Sequence, residues 1–304
     1  MFVLIKCTIY VILKTRGDRM MARDRFKTVL LAILPVIIYF VIQLIVTFVF
    51  GFFISGYYIL RYNILDTMYL TNILLEQTML VSAISCVLSF PVILPMYFLK
   101  KRNNLPLLSR KIEKVDKITA VCFAQCASIA ISFIGTLVFY LISFNDPTYT
   151  QIEAAINSAP FYLQIIAVVV LGPICEEIVF RGLAMNKLME SFSYKTAIIV
   201  SSLFFALLHG NLTQGILTFF MGVALGYIYV KTGSLITCIA AHMINNCLAV
   251  VEMYFEMNAV LAEAVSFVIL LVPAVVFVIR NRKIKVIDVK NSLELTNENI
   301  AEEI

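Results

Sequence analysis

Apolar residues run along this chain in long unbroken stretches, and polar residues collect in the short segments between them. Such stretches lie near residues 28–60, 78–99, 118–143, 161–185, 195–209, 214–230, 235–255 and 259–279. About 20 helical residues cross a bilayer core, so the pattern predicts eight membrane helices. The runs lack the two-residue alternation of a membrane β-barrel. The first is longer than one span requires, which tilt or an extension beyond the bilayer would accommodate. The fifth is short, and His209-Gly210-Asn211 predicts a tight turn into the sixth. The expected fold is all-α, a polytopic membrane helix bundle.

This pattern divides the chain into five parts. Residues 1–27 form a basic amphipathic N-terminal segment, 28–160 the N-terminal membrane helices, and 161–255 a second group of helices. A last membrane helix with a basic flank occupies 256–290, and 291–304 is a polar, acidic tail expected to be solvated. Residues 1–14 are apolar but too short to span, and they hold Lys6, so an interfacial helix is expected there. A start at Met20 or Met21 is the alternative. No internal repeat of the kind found in secondary transporters is visible.

Composition removes the soluble alternatives. Of 304 residues, 61% are hydrophobic and 14% charged, with a mean hydropathy of +0.94. Ordinary soluble domains run at roughly 45–50% and 25%. The net charge of +5 therefore reports topology, and no nucleic-acid partner is expected. Six Lys/Arg lie between Lys14 and Lys27, seven between Lys100 and Lys117, and five between Arg280 and Lys290. With eight crossings and the N-terminus inside, these fall on the cytoplasmic side, together with Arg181, Lys187, Lys195 and Lys231. Arg61 alone would lie outside. Asp66, Asp146, Glu153, Glu252 and Glu256 fall in the outward segments. The expectation is N-in, C-in. The seven cysteines contain no CxxC pair and read as small apolar residues.

A charge at the bilayer centre costs at least about 2.5–3.5 kcal/mol, so each one at depth needs a reason. Away from the helix ends the ionisable residues are Glu176, Glu177, Arg181, His209 and His242. Asn246 follows His242 by four residues and shares its helical face. At about 1.5 Å per residue, Glu176, His209, His242 and Asn246 could all sit at similar depth, in the inner or central part of the membrane. Glu177 and Arg181 are spaced as an i,i+4 ion pair. That leaves Glu176 without a local partner. A carboxyl held away from water accepts a proton readily, as a general base must.

These residues carry a resemblance. Glu176-Glu177-Ile178-Val179-Phe180-Arg181 reads EExxxR, Phe205 to His209 reads FxxxH, and His242 to Asn246 reads HxxxN. In this order, over about residues 160–250, they resemble the motifs of the CAAX-protease and bacteriocin-processing (CPBP) family of intramembrane proteases. The resemblance implies a glutamate-type endopeptidase in which Glu176 and His209 activate water. His242 and Asn246 would form the oxyanion hole. Glu177 and Arg181 would orient the reacting groups, and Phe205 would pack beside them. It implies a membrane-associated protein or peptide as substrate, either a prenylated CAAX protein or a leader peptide. Bilayer lipid is the other partner, and no metal or cofactor is called for. Two other readings of the same residues stay open. One is a zinc-dependent membrane protease, although no HExxH is present. The other is a non-catalytic immunity or scaffold protein.

Overall fold

The computed structural model describes residues 22–100, 107–108, 113–254, 259–284 and 286–287. The interfacial helix expected at 1–14 and the tail from 291 lie outside them. The chain is a bundle of helices: α1 (Ala22–Tyr62), α2 (Thr67–Glu76), α3 (Thr78–Lys100), α4 (Lys114–Leu141) and α5 (Pro147–Ser158) come first. They are followed by α6 (Phe161–Leu188), α7 (Tyr194–Leu208), α8 (Leu212–Thr232), α9 (Leu235–Tyr254) and α10 (Ala259–Asn281). A two-residue antiparallel pair, β1 (Leu107–Leu108) with β2 (Val286–Ile287), is the remaining described element.

Seven of these helices are long and apolar enough to cross a membrane, one fewer than the sequence pattern predicts. The difference is α7, whose 15 residues fall short of a span. It packs inside the bundle, where Val200, Ser201, Ser202, Phe204 and Phe205 are buried. The helix α1 has 41 residues, about 61 Å at about 1.5 Å per residue, or roughly twice the hydrocarbon core. Arg25 and Lys27 lie in its first turns, without a break at residue 27. The short helices α2 and α5, absent from the apolar pattern, are each started by an aspartate. Asp66 accepts from the backbone N–H of Met68, and Asp146 from that of Tyr149.

Large apolar side chains such as Phe48, Phe52, Leu60, Val268 and Val272 face outward. A soluble protein would not leave them there, and lipid is the solvent that permits it. The chain is a membrane protein.

The interior is organised around α6, α7 and α8. At the turn between α7 and α8, Gly210 adopts φ +70°, a left-handed conformation that glycine enters without a Cβ penalty. Asn211 then caps α8 by accepting from Gln214 N–H at 2.8 Å. Along the contact that follows, Gly222 and Gly226 form a GxxxG step. A Cβ on Gly222 would sit 3.0 Å from Ser202, and one on Gly226 would sit 3.1 Å from Ile198. The two backbones approach because both side chains are missing.

The two ends of the bundle differ in charge. At one end Thr28 bonds Ser191 at 2.7 Å. Lys231 Nζ donates to the carbonyl of Ile284 at 2.8 Å. Arg280 Nε donates to buried Asp116 at 2.8 Å, and its Nη2 to Glu113 at 2.9 Å. Lys114, Lys117, Lys187 and Lys195 belong to the helix ends gathered here. The opposite end holds α2, α5, the 209–211 turn and the end of α9. There Asp146 Oδ2 accepts from Thr213 N–H at 3.0 Å, and Phe161 stacks against Tyr254 with centroids 4.4 Å apart.

Candidate active site

The motif residues sit on α6, α7 and α9, and the helix that carries the glutamates is irregular. Within α6, Ile165–Leu171 and Ile178–Met185 are π-helical, and they flank an α-helical segment at Gly172–Glu177. Such wide turns recur at functional sites. Here the cause is local. Gly172 N–H bonds the carbonyl of Ala167, five residues back. The next donor in that register would be Pro173, which has no N–H. The carbonyl of Val168 is instead taken by Asn246 Nδ2 of α9 at 2.9 Å. Asn246 thus holds α9 to the distorted turn just before Glu176, and its amide retains a second N–H.

The two adjacent glutamates have different surroundings. Glu177 is fully buried. Its Oε1 accepts from Arg181 Nη1 at 2.8 Å and lies 2.9 Å from His242 Nδ1, while Oε2 has no partner. Arg181 is also fully buried. Its Nη2 donates to the Gly222 carbonyl at 3.1 Å, and its guanidinium lies 5.0 Å from the Phe205 ring centroid. The i,i+4 pair anticipated from spacing is therefore formed, and Arg181 ties α6 to α8 at Gly222, where α8 also closes on α7.

Glu176 keeps 20% of its side chain exposed, and its Oε2 lies 3.7 Å from His242 Nε2. It lines a cavity of about 820 Å³ that His209, His242 and Asn246 line as well. The structure thus brings all four of these residues to one space. His209 ends α7, and its Nδ1 lies 2.9 Å from the carbonyl of Phe205. A carbonyl only accepts, so Nδ1 carries a hydrogen, and in the neutral ring Nε2 then keeps its lone pair. His242 is oriented likewise, with Nδ1 toward the Glu177 carboxylate. Phe205 packs edge-on against both imidazoles, at 4.9 Å and 5.8 Å between centroids.

Several contributors carry no strong signal in the sequence. Asn245 also lines the cavity; it donates to Asn246 Oδ1 at 3.3 Å and accepts from Ser128 of α4. Gln125 of α4 donates to the carbonyl of Ala241, next to His242, at 2.7 Å. Single polar residues in apolar runs were the available signal, but nothing in the sequence paired them. Cys175, beside Glu176, is fully buried and directed at the Cys86 carbonyl at 3.6 Å. At the far end of the cavity stand Tyr149, Glu153 and Glu252. Burial pushes the Tyr149 hydroxyl pKa up, and the nearby Glu153 carboxylate adds to the shift. Among the described residues, no three His, Cys, Asp or Glu side chains are grouped so as to hold a metal ion.

Comparison with known proteins finds similarity over the part of the chain that holds these residues. The family model described as Rce1-like, "Type II CAAX prenyl endopeptidase Rce1-like", matches residues 158–248. A Bacillus subtilis (strain 168) protein named "Putative membrane peptidase YdiL" is 30% identical over 119 residues, covering 38% of this chain and 48% of that protein. The chain spans about half the length of this curated relative. No solved structure matches. Both matches support membership of the CAAX-protease and bacteriocin-processing family, and residues 158–248, over which the family model matches, contain every motif residue described above.

Proposed function

We propose that the chain is an intramembrane endopeptidase that hydrolyses a membrane-associated protein or peptide without a metal cofactor. The observation that carries this reading is the division between two neighbouring carboxylates. Glu177 is buried against Arg181 and His242, whereas Glu176 keeps an exposed edge in a cavity lined by His209, His242 and Asn246.

In this mechanism a water beside Glu176 gives its proton to the carboxylate while its oxygen bonds to the scissile carbonyl carbon. His209 Nε2, unprotonated while Nδ1–H faces the Phe205 carbonyl, orients that water. The carbonyl π electrons move to oxygen and create an oxyanion. His242 in its doubly protonated form donates Nε2–H to that oxygen, with Nδ1–H on Glu177. Asn246 donates the N–H it does not spend on Val168. Fixed donors of this kind contribute about 2.7–4 kcal/mol each in a dry site. Collapse of the intermediate breaks the C–N bond, and the proton on Glu176 passes to the leaving amine.

The test is mass spectrometry of membrane peptides from cells expressing wild type, Glu176→Gln or His209→Ala. Products should fall by about 10²–10⁴-fold in both variants. Products that persist in both would leave an immunity or scaffold role in place of catalysis. Activity of the purified protein that is lost on chelation and returns only with zinc would overturn the metal-free mechanism.

A further inference from the structure

The cavity is not placed symmetrically between the ends of the bundle. Glu176 and His242 form its inner part. From there its lining continues through Gln214 and Thr218 at the start of α8 to Tyr149 and Glu153 of α5 and Glu252 at the end of α9. Those last elements belong to the acidic end, where Glu153 is exposed. The other end gathers Lys114, Lys117, Lys187, Lys195, Lys231 and Arg280, and its elements are tied together by the Thr28, Lys231 and Arg280 contacts. Arg61 is the described Lys or Arg that stands with the acidic end. Lys/Arg asymmetry sets orientation, and the Lys/Arg-rich side stays in the cytoplasm. The cavity leads away from the basic end, toward α5 and the end of α9.

Charge narrows what can enter. Among the described residues, the carboxylates of Glu153, Glu176 and Glu252 line the cavity and no Lys or Arg does. A peptide segment with acidic side chains would meet repulsion there, whereas Lys or Arg would find complementary charge.

We propose that the cavity is entered from the extracytoplasmic side and that its substrates are exported peptides with Lys or Arg beside the cut bond. A prenylated cytoplasmic protein would arrive at the opposite, basic end. The substrate part of this inference rests on the endopeptidase reading; the orientation part does not.

The orientation is tested without any activity, so its failure is separate from failure of the hydrolase reading. Glu153→Cys and Lys283→Cys, in the full chain, are treated in intact cells with a membrane-impermeant maleimide. The labelled peptides are then mapped by mass spectrometry, which separates them from the native cysteines. Glu153→Cys should label in intact cells, and Lys283→Cys only after permeabilisation. Labelling of Lys283→Cys in intact cells, or protection of Glu153→Cys until permeabilisation, overturns the proposal. For the charge preference, exported-peptide products are compared between wild type and Glu153→Lys. Products with Lys or Arg near the cut should fall about fivefold relative to those without, which corresponds to about one surface ion pair. An equal fall in both groups, or none, removes the cationic preference.

Discussion

At its basic end the bundle is tied together by Lys231, Arg280 and Thr28, each reaching a different element. At the acidic end, α1, α5, α8 and α9 stand around a cavity of about 820 Å³. Between them lies a septum in which Arg181, Glu177 and His242 join α6, α8 and α9. A hollow, polar interior forgoes packing that would otherwise stabilise the fold. The contrast shows what offsets that loss, with a tied basic end and a buried charged septum holding the helices around the opening.

The septum should give the largest effect. Arg181→Ala strips the buried Glu177 carboxylate of its cation, and breaking a buried pair costs about 3–5 kcal/mol. Thermal unfolding in detergent should show a large fall in melting temperature. Arg181→Lys should recover only part of it, because an ammonium cannot reach Glu177 and the Gly222 carbonyl as a fork. A melting temperature like wild type for Arg181→Ala would mean that the septum is not what holds the open end.

Gly222→Val comes next. Its Cβ would already press on Ser202 at 3.0 Å, and overpacking of this kind costs about 1–3 kcal/mol. The same unfolding measurement checks it, and Gly226→Val should behave alike. At the basic end, Arg280→Ala should have a smaller effect, since Arg280 is partly exposed where it meets Glu113. Hydrogen exchange should rise in the first turn of α4 and the last turn of α10 and stay unchanged in α5. A rise in α5 would show that the two ends are not independent.

The smallest effect concerns pH at the open end. The N–H groups of Thr213 and Tyr149 hold the Asp146 carboxyl below the usual aspartate range, the Thr213 bond being the stronger cause. A carboxyl with a depressed folded pKa contributes stability above its unfolded value and loses it as pH falls through the folded one. The tie between α5 and α8 should therefore hold from neutral pH down to about 4 and loosen below it. Proteolysis near residues 209–213, measured against pH, should follow that course in wild type. In Asp146→Asn it should be pH-independent and faster at neutral pH.

Much of this architecture was legible as pattern. Seven of the eight apolar runs became membrane-length helices, and the tight turn at Gly210 appeared where His209-Gly210-Asn211 announced it. The fifth run, α7, is the exception, because an apolar pattern alone cannot tell a lipid-facing span from a short helix enclosed by neighbours. The helices α2 and α5 were missed because polar residues make up much of their length, so an apolar pattern has nothing to register.

The site was legible to a similar depth. Glu176, Glu177, Arg181, His209 and His242 stood out because charge in an apolar run is costly, and the i,i+4 spacing alone paired Glu177 with Arg181. The contact of His242 with Glu177, 65 residues away, has no local signature. Nor does the bond from Asn246 to Val168, which follows from a proline that leaves a carbonyl without a backbone donor.

Hydropathy, charge and local spacing are properties of neighbouring residues, so the sequence alone determined the membrane class, the candidate chemistry and the sorting of Lys and Arg to one set of helix ends. Which carboxylate is buried and which faces the cavity was decided only when α6, α8 and α9 packed, and so was the end toward which that cavity leads. Those outcomes depend on contacts between residues distant in the chain, where close approach of two backbones and the filling of one stray carbonyl set the geometry.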